Sequence, residues 1–136
     1  MKGKYLHINL ATALVKSLRQ RGGHVQVEYP VRRGQRPPAV DILAQVAGLL
    51  LAIEIECSIR RIPNDLMKVE ALRPDIGLIV MPNARLARAA RSLVRRLSNN
   101  YPIATATIQV MTFGAALQWV ANNCPIKSVP QVAGDI

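Results

Sequence analysis

Two acidic side chains stand two residues apart in an otherwise apolar stretch, "LLLAIEIECS" at positions 49–58. Side chains of a β-strand alternate between its faces, so Glu54 and Glu56 point to the same side of a strand formed here. A buried carboxylate needs a proton, a cationic partner or a metal ion. The chain has only eight acidic residues, so placing two of them in an apolar strand suggests chemistry.

A third acid, Asp41, is brought to the same place if Ala47 and Gly48 form the turn of a β-hairpin. With that turn, Asp41 lies directly opposite Glu54 on the neighbouring strand. Like charges at opposed positions destabilise a sheet, whereas a divalent cation between them would make a binding site. A one-residue slip of the turn would instead move Asp41 to the other face.

The chemistry that these acids favour is magnesium binding. Asp41 and Glu54 offer hard oxygen ligands for Mg²⁺, which keeps several waters and accepts further ligands from a substrate phosphate; Mn²⁺ could substitute. Glu56 would bind a second ion or orient the attacking water. The alternative is a hairpin at a sheet edge, with acids that are solvated or paired with Arg60 and Arg61.

The elements that must position these residues follow from hydrophobic spacing and turn signals. Asn64 or Asp65 is a candidate cap for the second helix, and Asn83 for the third. The pattern predicts helices over 5–20, 64–72, 83–97 and 114–123, and strands over 24–31, 39–46, 49–56, 76–81 and 104–111.

This order, αβββαβαβα, predicts an α/β fold with a mixed central sheet flanked by helices. The length of 136 residues predicts a single domain over 1–136, with a core of about 5–122 and a tail, 125–136, without periodicity. No apolar stretch approaches the roughly 20 residues that a membrane helix needs, so we expect a soluble, cytoplasmic protein. Cys57 and Cys124 have no metal-ligand spacing and are interpreted as small buried hydrophobic residues.

The segment "PPAVDILAQVAGLLLAIEIEC" resembles the signature of the PD-(D/E)xK nuclease superfamily, whose members share the restriction-endonuclease-like fold. In that signature an aspartate on one strand of a hairpin is followed by E-x-K on the next. The element order over about 5–112 is also similar to the core of that fold. The resemblance implies that Asp41, Glu54 and the backbone carbonyl of Ile55 hold Mg²⁺.

The chain departs from this signature because Glu56 occupies the position of the lysine. Some restriction enzymes of the superfamily carry E-x-E and are active, and other members have the lysine on the following helix. Lys68 lies where such a relocated catalytic lysine would stand. The alternative, which we favour from sequence, is that Lys68 is a solvated helix residue.

The first helix is loosely similar to that of archaeal Holliday-junction resolvases, which act as homodimers and carry a glutamate near its start. His7 occupies the comparable region here, among Leu6, Leu10 and Leu14. His7 could reach the metal site or a phosphate as an accessory group. A lone histidine on an apolar helix face is more typical of a hydrogen-bonded core residue, which is the interpretation we favour.

The charge of the chain points to a polyanionic partner. Eighteen Lys and Arg against eight Asp and Glu give a net charge of +10, and cationic side chains bind phosphates by releasing counterions. Aromatic residues make up only 4%, which disfavours base stacking and favours duplex or branched DNA. The candidate phosphate-binding residues, for which a solvated surface is the alternative, are Arg32, Arg33, Arg36, Arg60, Arg61, Arg88, Arg91 and Arg95.

Motif and charge together predict a Mg²⁺-dependent endonuclease acting on duplex or branched DNA, as a homodimer. Asp41, Glu54, Glu56 and Lys68 are the candidate catalytic residues. The first alternative is a catalytically inactive module of the same fold that binds DNA or protein, which the missing motif lysine favours. A basic protein bound to RNA within a larger assembly is a third possibility, based on charge alone.

Overall fold

The computed structural model describes residues 2–32, 34 and 38–126, which form a five-stranded mixed β-sheet and five α-helices. The strands lie side by side in chain order, antiparallel from β1 to β3 and parallel from β3 to β5. They are β1 (His24–Pro30), β2 (Ala39–Val46), β3 (Leu49–Ile55), β4 (Ile76–Met81) and β5 (Ile108–Thr112). The helices are α1 (Lys2–Gln20), α2 (Ile62–Leu72), α3 (Ala84–Arg96), α4 (Pro102–Thr107) and α5 (Phe113–Asn123).

The predicted α/β class, with a mixed sheet flanked by helices, is confirmed. Helices α1 and α5 pack on one face of the sheet, and α2, α3 and α4 pack on the other. Strand β4, "IGLIVM", is almost entirely buried because helices cover both faces of the parallel half of the sheet. No described helix combines the length and apolar character required to cross a bilayer.

The hairpin between β2 and β3 has the predicted turn and register. Ala47 and Gly48 both have positive φ, +53° and +76°, as the favoured two-residue hairpin turns require. The strands pair so that Ile42 faces Ile53, which places Asp41 opposite Glu54 at the next position. The local turn thus fixes which acids meet.

Helix α2 begins earlier than the prediction of 64–72, and its capping prediction is wrong. A short 3₁₀ turn, Ile59–Arg61, leads directly into the helix, and the residue at the N-cap, Arg61, makes no side-chain cap. Asp65 consequently lies inside the first turn, on the helix face that also buries Leu66. This shift sends its carboxyl group into the protein interior.

Helix α4 replaces the first half of the strand predicted over 104–111, and only β5 is extended there. The residue at the N-cap, Tyr101, makes no side-chain cap. Instead the Glu70 carboxylate of α2 accepts hydrogen bonds from the backbone N–H of Ile103 and Ala104, at 3.3 and 2.6 Å. A tertiary contact therefore supplies the cap that makes this β-branched segment helical.

Replacing Glu70 tests this capping. Glu70→Ala leaves two N–H groups of α4 without their acceptor, and we expect it to lower the free energy of unfolding by about 1–2 kcal/mol. Glu70→Gln keeps one acceptor oxygen and should lose less stability than Glu70→Ala. Urea denaturation followed by circular dichroism measures both; equal stability of Glu70→Ala and wild type would contradict the role.

Candidate metal centre

The carboxylates of Asp41 and Glu54 each accept a hydrogen bond from the backbone of the opposite strand. The N–H of Asp41 donates to Glu54 Oε1 at 3.0 Å, and the N–H of Ile55 donates to Asp41 Oδ2 at 2.7 Å. Each carboxylate oxygen can accept more than one hydrogen bond, so both acids keep capacity for a cation. The hairpin thus presents two oriented carboxylates at the end of β3.

Glu54 also belongs to a group of three buried acids, which we call the acidic cluster: Glu54, Glu56 and Asp65, exposed to 1%, 8% and 0%. One carboxylate oxygen from each lies within 4.8 Å of the others. Both oxygens of Asp65 are buried without a hydrogen-bond donor among the described atoms. An all-oxygen donor set of this kind could hold a metal ion, and it suits hard cations such as Mg²⁺, Mn²⁺ or Ca²⁺.

Lys68 lies inside the cluster, so its interpretation as a solvated residue is wrong. Its side chain is buried, and Nζ is 3.1 Å from Glu54 Oε2 and 3.9 Å from Asp65 Oδ1. A buried ammonium group beside carboxylates offsets part of the cost of burying their charge. Helix α2 therefore contributes both a carboxyl group, from Asp65, and an ammonium group, from Lys68, about one turn apart.

Burial changes the protonation of these acids. It raises the pKa of Glu54 and of Glu56, and together with the neighbouring Glu54 it raises the pKa of Asp65 to about 11. Two carboxyl groups in contact can form a hydrogen bond only if one carries a proton. Asp65 is thus the protonated member of the cluster, and a bound cation would replace its proton.

His7 joins the site from α1. Its Nε2 lies 3.0 Å from Asp41 Oδ2, and its side chain is 33% exposed. His7 is therefore half-buried at the site, in contrast to the core histidine that we favoured from sequence. The His7 ring and the backbone N–H of Ile55 both contact the same oxygen of the Asp41 carboxylate, Oδ2.

A cavity of about 490 Å³ opens onto these groups. Ile55 lies in its wall, and Arg61 lies at its exposed margin. The positive charge of Arg61 lowers the pKa of Glu56, against the larger raising effect of burial. The predicted residues that line this cavity are His7, Asp41, Glu54, Ile55, Glu56, Arg61 and Lys68.

The other predicted arginines that the structure describes do not line this cavity. Arg91 donates from Nε to the carbonyl of Val110 on β5, at 3.1 Å. Arg88 and Arg95 are exposed on the same helix, α3, which packs on the β5 side of the sheet. Arg32 and Arg60 are exposed, while Arg33 and Arg36 lie outside the described residues.

Asp65 is the site residue that sequence reasoning missed. It stands three residues before Lys68 and on the stripe that Ile62, Leu66 and Val69 bury. An acid on an apolar stripe was the available signal, but its position after Pro63 favoured a capping role. Cys57 is half-buried at the cavity wall, whereas Cys124 is buried in the core as predicted.

The raised pKa of Asp65 predicts how stability depends on pH. The folded protein binds this proton more tightly than the unfolded chain, so the stability that Asp65 contributes is fully present below pH 3.8 and is lost as pH rises toward about 11. One such group lowers the free energy of unfolding by at most about 1.4 kcal/mol per pH unit.

Asp65→Asn cannot ionise, and its amide can donate to Glu54 as the protonated acid does. In EDTA, the melting temperature of this variant should fall less between about pH 6 and pH 9 than that of wild type. Differential scanning fluorimetry across this range measures the two slopes. Parallel slopes would show that Asp65 does not carry the proton.

The chain matches no known protein-family model, and no curated protein matches it significantly. The resemblance to PD-(D/E)xK nucleases therefore depends on the hairpin motif and the order of elements, and membership of that superfamily stays a prediction.

Proposed function

We propose that this protein is a metal-dependent endonuclease that hydrolyses phosphodiester bonds in duplex or branched DNA. The observation that carries the proposal is the joint placement of Asp41, Glu54 and Lys68 in one cavity, with Lys68 Nζ 3.1 Å from Glu54 Oε2. Buried ionic groups seldom add stability compared with apolar residues of similar size. A buried cluster of three acids and one lysine is therefore better explained by chemistry than by folding.

The donor set fits the metal that the resemblance implies. Asp41, Glu54 and the backbone carbonyl of Ile55 would hold Mg²⁺ or Mn²⁺, and Glu56 with Asp65 would provide a second position. The unpartnered oxygens of Asp65 are the structural sign that the cluster can accept a cation. When bound, such an ion supplies polarisation of a phosphoryl oxygen and a lowered pKa for a coordinated water.

The side chains of the chain have separate roles in this proposal. Lys68 Nζ places a fixed positive charge beside Glu54, where negative charge develops on the phosphate in the transition state. Glu56 orients the attacking water, and His7 keeps Asp41 in position through its 3.0 Å contact. Arg61, exposed at the cavity margin, contacts a neighbouring phosphate of the substrate.

A specific observation favours the alternative of a nuclease-like module without catalysis. Glu56 stands in the motif position of the lysine and is 8% exposed, so it adds negative charge where the substrate phosphate would approach. Such a module would bind DNA in a salt-dependent manner without cutting it. Lys68 argues for catalysis instead, because it places an ammonium group beside the carboxylate of Glu54 from the following helix, α2.

Asp41→Asn tests the endonuclease. It removes a carboxylate but keeps the shape of the side chain, so we expect cleavage to fall by more than roughly 100-fold while folding and DNA binding persist. The substrates are supercoiled plasmid, linear duplex and a four-way junction, each with Mg²⁺ or Mn²⁺. Asp75→Asn is the matched control and should cut normally, because Asp75 lies just before β4 and accepts its hydrogen bond from the N–H of Leu50, near the start of β3. Unchanged cleavage by Asp41→Asn would refute the site, and binding without cleavage by wild type would support the inactive module.

Lys68→Met separates catalysis from charge balance. Methionine keeps the apolar stem but loses the ammonium group, and we expect cleavage to fall by roughly 10²–10³-fold with little change in DNA affinity. Lys68→Arg keeps the charge with a different donor geometry and should retain intermediate activity. Circular dichroism first confirms that each variant is folded. Cleavage by Lys68→Met at the wild-type rate would mean that the lysine is only a counter-ion.

A further inference from the structure

A second, larger cavity of about 960 Å³ lies between α1 and the edge strand β1, and we call it the α1–β1 groove. Ile8 and Val27 line it and are 49% and 55% exposed, although both are large hydrophobic residues. Lys16 and Arg19 lie at the end of the groove that is farther along α1. The groove therefore combines apolar walls with a cationic end.

Exposed positive charge at the far end of this groove favours an anionic occupant there. The sequence of α1 contains no acidic residue, and Lys16 and Arg19 are exposed. The acidic residues that line the groove are Glu28 and Asp41.

The groove is continuous with the candidate metal centre. His7 and Asp41 line both cavities, so this hydrogen-bonded pair forms the boundary between them. Helices rise about 1.5 Å per residue, which places Arg19 roughly 18 Å from His7, the span of a few nucleotides. An extended chain bound along α1 would thus end at Asp41.

We propose that the α1–β1 groove binds an unpaired DNA strand and leads it to Asp41. The inference rests on the proposed endonuclease and narrows its substrate to DNA with a single-stranded segment, as at a branch or an overhang. In a duplex the base faces are stacked and hidden, so apolar walls gain contact only with unpaired nucleotides. Contacts to Ile8 and Val27 replace the aromatic stacking that single-strand-binding proteins commonly use.

The backbone beside Asp41 provides a further sign of a binding function. Glu28 has φ of +49°, which is the left-handed region in the middle of a β-strand. It lies between Val27 and Tyr29, which pair with Ile42 and Val40, so it stands across from Asp41. Strained residues of this kind gather at ligand-binding sites.

Binding of a labelled deoxythymidine oligonucleotide tests the groove. Fluorescence anisotropy in EDTA, where metal-dependent cleavage cannot occur, gives the affinity at several salt concentrations. The double variant Lys16→Gln/Arg19→Gln should bind about tenfold or more weakly and lower the salt slope by about 1.4, the value for two phosphate contacts on a single strand. Glu28→Gln should bind more tightly because it removes a repelling charge.

Matched controls separate the groove from general charge. Arg73→Asn/Arg96→Gln removes two positive charges from the opposite layer, and asparagine tolerates the left-handed backbone of Arg73. This control variant should bind the oligonucleotide with nearly the affinity of the wild type. Ile8→Gln/Val27→Thr keeps the charge and should weaken strand binding without changing the salt slope or the binding of a matched duplex.

Two results would overturn the inference. One is equal loss of affinity in the groove pair and the control pair. The other is a dimer, seen by light scattering, that Ile8→Gln/Val27→Thr dissociates without affecting strand binding, which would make the groove an interface between copies.

The test also distinguishes this inference from the proposed function. Cleavage that Asp41→Asn abolishes, with strand binding that ignores Lys16 and Arg19, would keep the endonuclease and refute the groove. Groove-dependent binding by a wild type that never cuts would keep the groove and refute the endonuclease.

Discussion

The reciprocal backbone bonds between Asp41 and Glu54 are the interaction on which the site depends. Each acid accepts from the N–H of the strand that carries the other, so neither can turn away without losing a hydrogen bond in a partly buried place. These bonds exist only in the register that the Ala47-Gly48 turn sets. A slip of one residue would send Asp41 to the opposite face and break both bonds at once.

Charge balance is the second constraint on the candidate metal centre. Glu54, Glu56 and Asp65 are buried with one buried cation, Lys68, so full ionisation would leave excess negative charge in a region of low polarity. The high pKa of Asp65 resolves this conflict with a proton. A divalent cation would resolve it equally well, which is why proton and metal are expected to compete for the acidic cluster.

The hairpin could be predicted because its causes are local. A two-residue turn and alternating side chains fix the register of neighbouring strands, and both are visible in a short stretch of sequence. The contact of His7 with Asp41 depends on how α1 packs across the sheet, which no local pattern contains. The burial of Lys68 and the place of Asp65 in the site were similarly hidden, because the start of α2 depends on the 3₁₀ turn that precedes it.

The error at α4 has the same origin. The segment "ATATIQV" has the β-branched and threonine-rich composition of a strand, and local propensity predicts one. Glu70, more than thirty residues earlier in the chain, caps the segment and makes its first half helical. Tertiary contacts therefore decide both the elements that sequence mispredicts and the side chains that complete the candidate site. Local pattern places Asp41 and Glu54, whereas packing places His7, Asp65 and Lys68 around them.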